Sequence, residues 1–256
     1  MGAKIYQNKK YIAFFLIPAF VFMLIFLYYP FIQNIINSFQ HIKYMGTAAD
    51  KWNAPFYKNY LEIFKDPKML IALKNTGIMI IATIVGEVGL AIVLSLLVSN
   101  IKKGAGFFRV VYFFPIVISA TALGLLFNLV FLYDKGMINQ LLQLIGVLDA
   151  GKNELIDWKA THPMFTMLVP VIWQYVGFYF IILLTGLSGI PEDLYEAAEI
   201  DGASKLQQVR YVTLPLLRNS ICTCVVLAVT GALKVFDLPW TMFVNGMSNT
   251  WLTGTY

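Results

Sequence analysis

Residues 190–218 read IPEDLYEAAEIDGASKLQQVRYVTLPLLR, a polar interval set between two long apolar runs. Pro191 suits the first turn of a helix, where its missing N–H is not needed, and Glu192 and Asp193 complement the positive end of that helix's dipole. Leu194, Ala197, Ala198 and Ile200 give the helix a small apolar side, with Glu192, Glu196 and Glu199 on the other. Gly202 can close it by taking a left-handed conformation. Ser204 is suited to cap a second short helix through Tyr211, and Pro215 marks the return to the apolar run. The segment therefore predicts a compact helix–turn–helix knob whose small tip favours docking into a partner's groove. On these residues alone, an ordinary connecting loop fits equally well.

Five apolar runs flank and precede the knob, at 11–32, 71–98, 107–132, 165–187 and 216–236. Each has about 20 residues or more, enough to cross a hydrocarbon layer of roughly 30 Å. Pro18, Pro115 and Pro170 fall inside these runs, and bundles tolerate such prolines because neighbours satisfy the freed carbonyls. The composition agrees: 59% of the 256 residues are hydrophobic and 13% charged, against about 25% charged in soluble domains. Mean hydropathy is +0.70. A soluble domain, a disordered tail, a disulfide scaffold and a coiled coil are excluded, and the expected fold class is an all-α polytopic bundle. Residues 137–148 are too few to span. Ile138, Leu141, Leu142 and Ile145 recur at helical spacing beside Asn139, Gln140 and Gln143, so an amphipathic helix at the outer surface is expected.

The net charge of +5 reflects a common feature of membrane proteins, whose cytoplasmic loops hold Lys and Arg. No dense basic run supports nucleic-acid binding. Cys222 and Cys224, two residues apart, point to different helix faces, and His41 and His162 have no ligand-spaced partner for zinc. The first apolar run follows Lys4, Lys9 and Lys10 but is too long for a secretory signal, so it predicts an uncleaved helix with its amino end inside. That orientation sets nine basic residues inside (Lys4, Lys9, Lys10, Lys102, Lys103, Arg109, Lys205, Arg210, Arg218) against nine outside. The inner ones lie in shorter segments near helix ends, where the charge rule counts most. Residues 33–70 then form an outer loop rich in aromatic and polar residues.

Glu196-Ala197-Ala198, three residues, Gly202, nine residues, then Val212, Leu214 and Pro215 is similar to the signature of the integral-membrane permease subunits of binding-protein-dependent ABC importers. Val212 stands where Ile is commoner. The opening FFLIPAFVFMLIFLYYPFIQNIINSF (14–39), YFFPIVIS (112–119), Ile190-Pro191, EAAEIDGA (196–203) and Phe236-Asp237 after Lys234 resemble the family's sugar-transporting branch, so likeness runs along nearly the whole chain. The resemblance implies a type I permease fold in a prokaryotic plasma membrane, with the amino terminus cytoplasmic. It makes 190–215 the coupling segment, in which Glu196, Ala197, Ala198, Asp201, Gly202, Val212, Leu214 and Pro215 meet a cytoplasmic ATPase. The implied partners are a second permease in a heterodimer, two ATPase subunits using ATP and Mg, and an extracytoplasmic solute-binding protein delivering a sugar, an oligosaccharide above all. The branch usually has a sixth core helix after the segment similar to 240–256, where this chain stops. A chain lacking its last helix, or one whose missing packing a partner supplies, is therefore expected.

A permease needs no nucleotide site or cofactor of its own. GVLDAGKN at 146–153 matches G-x-x-x-x-G-K, but Asn153 replaces the magnesium-binding Ser or Thr and no strand precedes it. No catalytic residue and no metal site is assigned. For the substrate path, the candidates are the polar and aromatic residues inside the runs: Glu87, Asn128, Trp173, Gln174 and Tyr175. Amides pair with sugar hydroxyls and aromatic faces cover sugar C–H surfaces, although the same residues also serve as ordinary bundle packing. Glu87 costs about 2.5–3.5 kcal/mol on insertion, which its aliphatic neighbours offset, so it should face the bundle or a partner. Lys234 and Asp237 share a helix face. Lys234, some 24 Å along from Arg218 at about 1.5 Å per residue, is expected to snorkel at the outer interface. The alternatives are a membrane enzyme using Glu87 or Asp237 on a lipid-linked substrate, which lacks the usual paired acidic or His-containing constellation at helix ends, and an ion-coupled secondary transporter, for which no internal repeat is seen.

Overall fold

The computed structural model describes residues 9–44, 46–101, 104–149 and 154–243. It divides into two compact units, 1–67 and 68–256.

The first unit is dominated by a long apolar helix. Helix α1 (Lys9–Met23) runs through a wide π-type turn (Leu24–Tyr28) into α2 (Tyr29–Ser38). The wide turn has a local cause. Pro30 has no N–H to donate and its ring crowds the carbonyl one turn back, and Tyr29 instead donates to Leu24, five residues earlier. Residues 33–70, expected as a loop, are more ordered than that. Strands β1 (Gln40–His41) and β2 (Lys51–Trp52) pair antiparallel, with Gln40 opposite Trp52, and α3 (Lys58–Lys65) follows. Asn59 Nδ2 fastens the start of this hairpin by donating to Ser38 O at 2.9 Å and Gln40 O at 3.0 Å.

The second unit is an all-α bundle. Helix α4 (Pro67–Thr83) passes through a π-type turn (Ile84–Gly89) into α5 (Leu90–Ser99), making one apolar helix of 33 residues. Helix α10 (Pro163–Ser188) is unbroken for 26 residues despite Pro170. The expected span at 107–132 is built from two helices, α6 (Ala105–Phe113) with a tight turn to Val117, and α7 (Ala120–Val130), bent by 96°. Pro115 starts the tight turn, Ile118 is extended, and Ser119 caps α7 by accepting from Ala122 N at 3.2 Å. Helix α14 (Arg218–Lys234) is likewise bent by 67° from the helical stretch 205–216 before it. Counting each bent pair as one crossing, the described residues hold five helices able to cross a membrane; three qualify without that allowance. Helix α8 (Met137–Leu144), the short α9 (Trp158–Thr161) and α15 (Asp237–Met242) complete the unit apart from the knob. Most of 240–256 lies outside the described residues.

Helix α10 is the scaffold. A Cβ built on Gly177 would lie 1.7 Å from Tyr112 O, and one on Gly186 would lie 2.7 Å from Ser220 Oγ. Only glycine lets α6 and α14 approach this closely, the small-residue contact on which helix association in lipid depends. Two apolar clusters lie along α10, one around Met167, Val171, Phe127 and Leu238, the other around Phe180, Leu183, Leu187, Leu217 and Cys224.

Candidate functional site

Two regions of the second unit carry the residues singled out from the sequence: the knob after α10 and a cavity between the two apolar clusters.

The knob begins with α11 (Asp193–Ile200), whose first turn holds Asp193 and Glu196. Gly202, at φ +78°, ends it. Its N–H donates to Glu199 O at 3.0 Å and that of Ala203 to Ala198 O at 2.9 Å, so the last carbonyls are satisfied by a left-handed closure. Ser204 and Gln207 then form a reciprocal capping box at the head of α12 (Lys205–Gln208), with Ser204 N donating to Gln207 Oε1 at 2.7 Å. The chain stays helical past Tyr211, through a wide turn (Val209–Thr213) and α13 (Leu214–Leu216). Pro215 therefore sits inside helix and imposes the wide turn before it, as Pro30 does; Leu214 N donates to Val209 O, five residues back.

Of the signature residues, Glu196, Ala197, Asp201, Gly202 and Pro215 are exposed, while Ala198, Val212 and Leu214 are half-buried. Ile200 and Leu206 stand out from the turn at 86% and 78% exposure. The exposed Glu199–Lys205 pair, 3.8 Å apart across the turn, contributes little by itself. The fastening is internal and was missed in the sequence: Tyr195 OH lies 3.1 Å from Thr213 Oγ1, and buried Gln208 donates to Ala203 O at 3.4 Å. Polar Gln208 and Thr213 among apolar neighbours were the available signal.

The cavity encloses about 350 Å³ and is lined from α4, the turn after it, α10, α14 and α15. The wide turn Ile84–Gly89 carries Glu87 into it. Glu87 is 2% exposed and shares the cavity wall with Tyr179. Thr83, Gln174, Tyr175 and Tyr179 form the rest of the polar wall. Gln174 already has a task, donating at 3.0 Å to Ile118 O, the carbonyl freed at the break between α6 and α7.

The structure brings Glu87, Gln174 and Tyr175 together and keeps Asn128 and Trp173 apart from them. Trp173 meets Phe127 edge-on, ring centroids 5.9 Å apart. Asn128 is used at both ends of its amide, donating to Thr241 O at 3.1 Å and accepting from Lys159 Nζ. Burial pushes the half-buried Lys159 ammonium below its ordinary pKa, opposed by the nearby Asp157 carboxylate. Lys234, expected near the outer interface, and Asp237 on the same chain segment both line the cavity, where α14 ends at Lys234 and the chain turns through Val235 into α15. Asp237 two residues before Pro239 is a helix-start pattern that could have located that turn. Among the described residues, no three His, Cys, Asp or Glu side chains gather as a metal site. Gly146 follows α8, not a strand, and 151–153 lie outside the described residues.

A helical membrane bundle with an exposed knob and a polar cavity between its helices has the parts of a transport subunit. The model of the family described as "binding-protein-dependent transport system inner membrane component" matches residues 87–256, and the chain belongs to that family of multi-pass inner-membrane proteins. It is 34% identical over 242 residues to the probable ABC transporter permease protein YurN of Bacillus subtilis, covering 94% of this chain and 81% of that one. It is 32% identical over 238 residues to the arabinooligosaccharides transport system permease protein AraP of Halalkalibacterium halodurans, covering 91% and 71%. In fold it is similar to a bacterial ABC transporter involved in import of the acidic polysaccharide alginate, with a TM-score of 0.78 at 20% identity over 99% of this chain and 84% of that one.

Proposed function

We propose that this chain is a permease subunit of an ATP-driven importer for a sugar, of the oligosaccharide class, and that the knob couples it to cytoplasmic ATPases. It pairs with a second, different permease and receives its solute from an extracytoplasmic binding protein. The cavity is part of the path, and the amino terminus is cytoplasmic, because an odd number of crossings must separate the first helix's outer end from a cytoplasmic knob. ATP and Mg act in the partner ATPases. The sugar reading draws on the relatives named for sugar transport, AraP among them.

The observation that carries the coupling role is the tip of the knob: bare Ile200 and Leu206 around a Gly202 turn that the Tyr195–Thr213 contact holds in shape. The same geometry suggests how a pull at the knob reaches the solute. Leu217, at 1% exposure, seats the bend between the knob and α14 in the apolar cluster on α10. From Arg218 to Gly231, which lines the cavity, α14 runs about 20 Å. Displacement at the bend therefore moves a wall of the cavity.

The test is co-purification of the ATPase with the permease. Glu196→Lys, Ile200→Glu and Gly202→Val, the last strained at positive φ, should each abolish it at unchanged membrane level. Retention of the ATPase by all three would remove the proposal. ATPase stimulation across a sugar panel with the binding protein present then identifies the substrate.

A further inference from the structure

Beside the crossing of α6 and α10 lies an open groove of about 380 Å³, lined by Arg109, Val110, Phe113, Phe114, Val117 and Ile181. It has a structural origin. Gly177 draws the backbone of α10 against Tyr112, and helices that touch at one point diverge on either side of it. Ile181, one turn beyond Gly177, is the floor. Val110, Phe113, Phe114 and Val117 recur at i, i+3, i+4 and i+7 and make a continuous apolar wall about 11 Å long. Val110, Phe114 and Val117 are 60–73% exposed.

Arg109 is the one charged residue of this lining. It sits five residues past Gly104, inside the apolar stretch, and none of the ion pairs among the described residues includes it. Arg109 is exposed and near a helix end, from which a guanidinium reaches the interface, and its planar donors fit a phosphate there. An anionic headgroup and an apolar slot leading away from it are the two ends of one kind of molecule. The geometry points to a binding site for an anionic phospholipid, its phosphodiester on Arg109 and one acyl chain along the groove to Val117 and Ile181. In the orientation proposed above this is a lipid of the cytoplasmic leaflet, but occupancy of the groove does not depend on that orientation. Basic pockets between transmembrane helices are known to hold such headgroups.

The experiment is native mass spectrometry of the purified full chain in detergent, titrated with phosphatidylglycerol or with zwitterionic phosphatidylethanolamine of matched chains. The expected result is a preference for phosphatidylglycerol of about five-fold, what one basic residue near a membrane surface supplies. Arg109→Gln should erase the preference, and Arg109→Lys should keep part of it. Val117→Trp, which fills the slot and leaves the charge, should weaken binding of phosphatidylglycerol itself. Arg218→Ala, at another helix end, should change neither. Persistence of the preference in Arg109→Gln overturns the proposal. So does its equal loss in Arg218→Ala, which would mean general electrostatics. Displacement by glycerophosphoglycerol as effective as by the whole lipid also overturns it, since the slot would then contribute nothing. Gel filtration of each variant establishes that it is folded before its lipid binding is compared.

Discussion

Two helices of this protein are nearly indistinguishable by hydropathy and opposite in what they do. The stretch Lys10–Ser38 has a mean hydropathy of 2.5 over its most apolar window and none of that window is buried; Pro163–Ser188 scores 2.0 and is half buried. Apolarity decides that a segment enters the membrane. It does not decide what packs against it, because lipid is as apolar as leucine. The difference lies in the minority residues. Helix α10 has Gly177 and Gly186 where neighbouring backbones and side chains come close, and Gln174 where a freed carbonyl needs a donor. Around α1 the residues are Phe14, Phe15, Phe20 and Phe22, all more than half exposed.

Matched substitutions can break that contrast. Gly177→Val should have the largest effect, since its first carbon would overlap the Tyr112 backbone, and folded chain should be lost on gel filtration; Ala19→Val in α1 should be silent. Next comes Leu183→Ala, at 0% exposure, expected to cost about 2–5 kcal/mol. Phe22→Ala, its counterpart, should change stability by about 0.5 kcal/mol or less, both read from thermal unfolding in one detergent. A large loss at Phe22 would mean that α1 is covered in the working protein. Gln174→Leu strands the Ile118 carbonyl and should cost about 1–3 kcal/mol, whereas Gln33→Leu removes only an exposed contact to Asn37 and should cost a few tenths. The smallest effect is a pH dependence at Lys159. Its folded pKa is depressed, so the unfolded chain binds the proton more tightly, and stability should rise as pH climbs from that lowered value toward the ordinary lysine value. Lys159→Met should flatten that rise in melting curves taken across alkaline pH.

The same division explains what the sequence disclosed. The outline of the knob was readable because the residues that turn and cap it lie within about 20 residues of chain, although the Tyr195–Thr213 fastening was not. Its turn glycine, capping serine and signature spacing stand in one line of text. The apolar runs were readable by length. The break between α6 and α7 was not. Pro115 sits at a sharp bend while Pro170 sits in straight helix, and what separates them is supplied from elsewhere: a following Ser119 to cap the new helix, and Gln174 on α10 to receive the loose carbonyl. The cavity was only partly readable for a related reason. Glu87, Gln174 and Tyr175 were found as polar residues in apolar runs, but Lys234 and Asp237 join them only because α14 stops at Lys234. The Asn128 amide bonds to Thr241 and Lys159, partners 113 and 31 residues away that no local pattern announces.

Helix α14 has bends at both ends and no proline between them. A hydrogen-bonded helix is stiff along its axis, so it behaves as a connecting rod and not as a spring, with its compliance confined to two joints, at Leu217 and Val235. If the knob docks a cytoplasmic ATPase as proposed, whatever travel is imposed at the first joint arrives at the second almost undiminished, and the play in those joints, more than the length of the rod, fixes how faithfully that motion reaches the cavity.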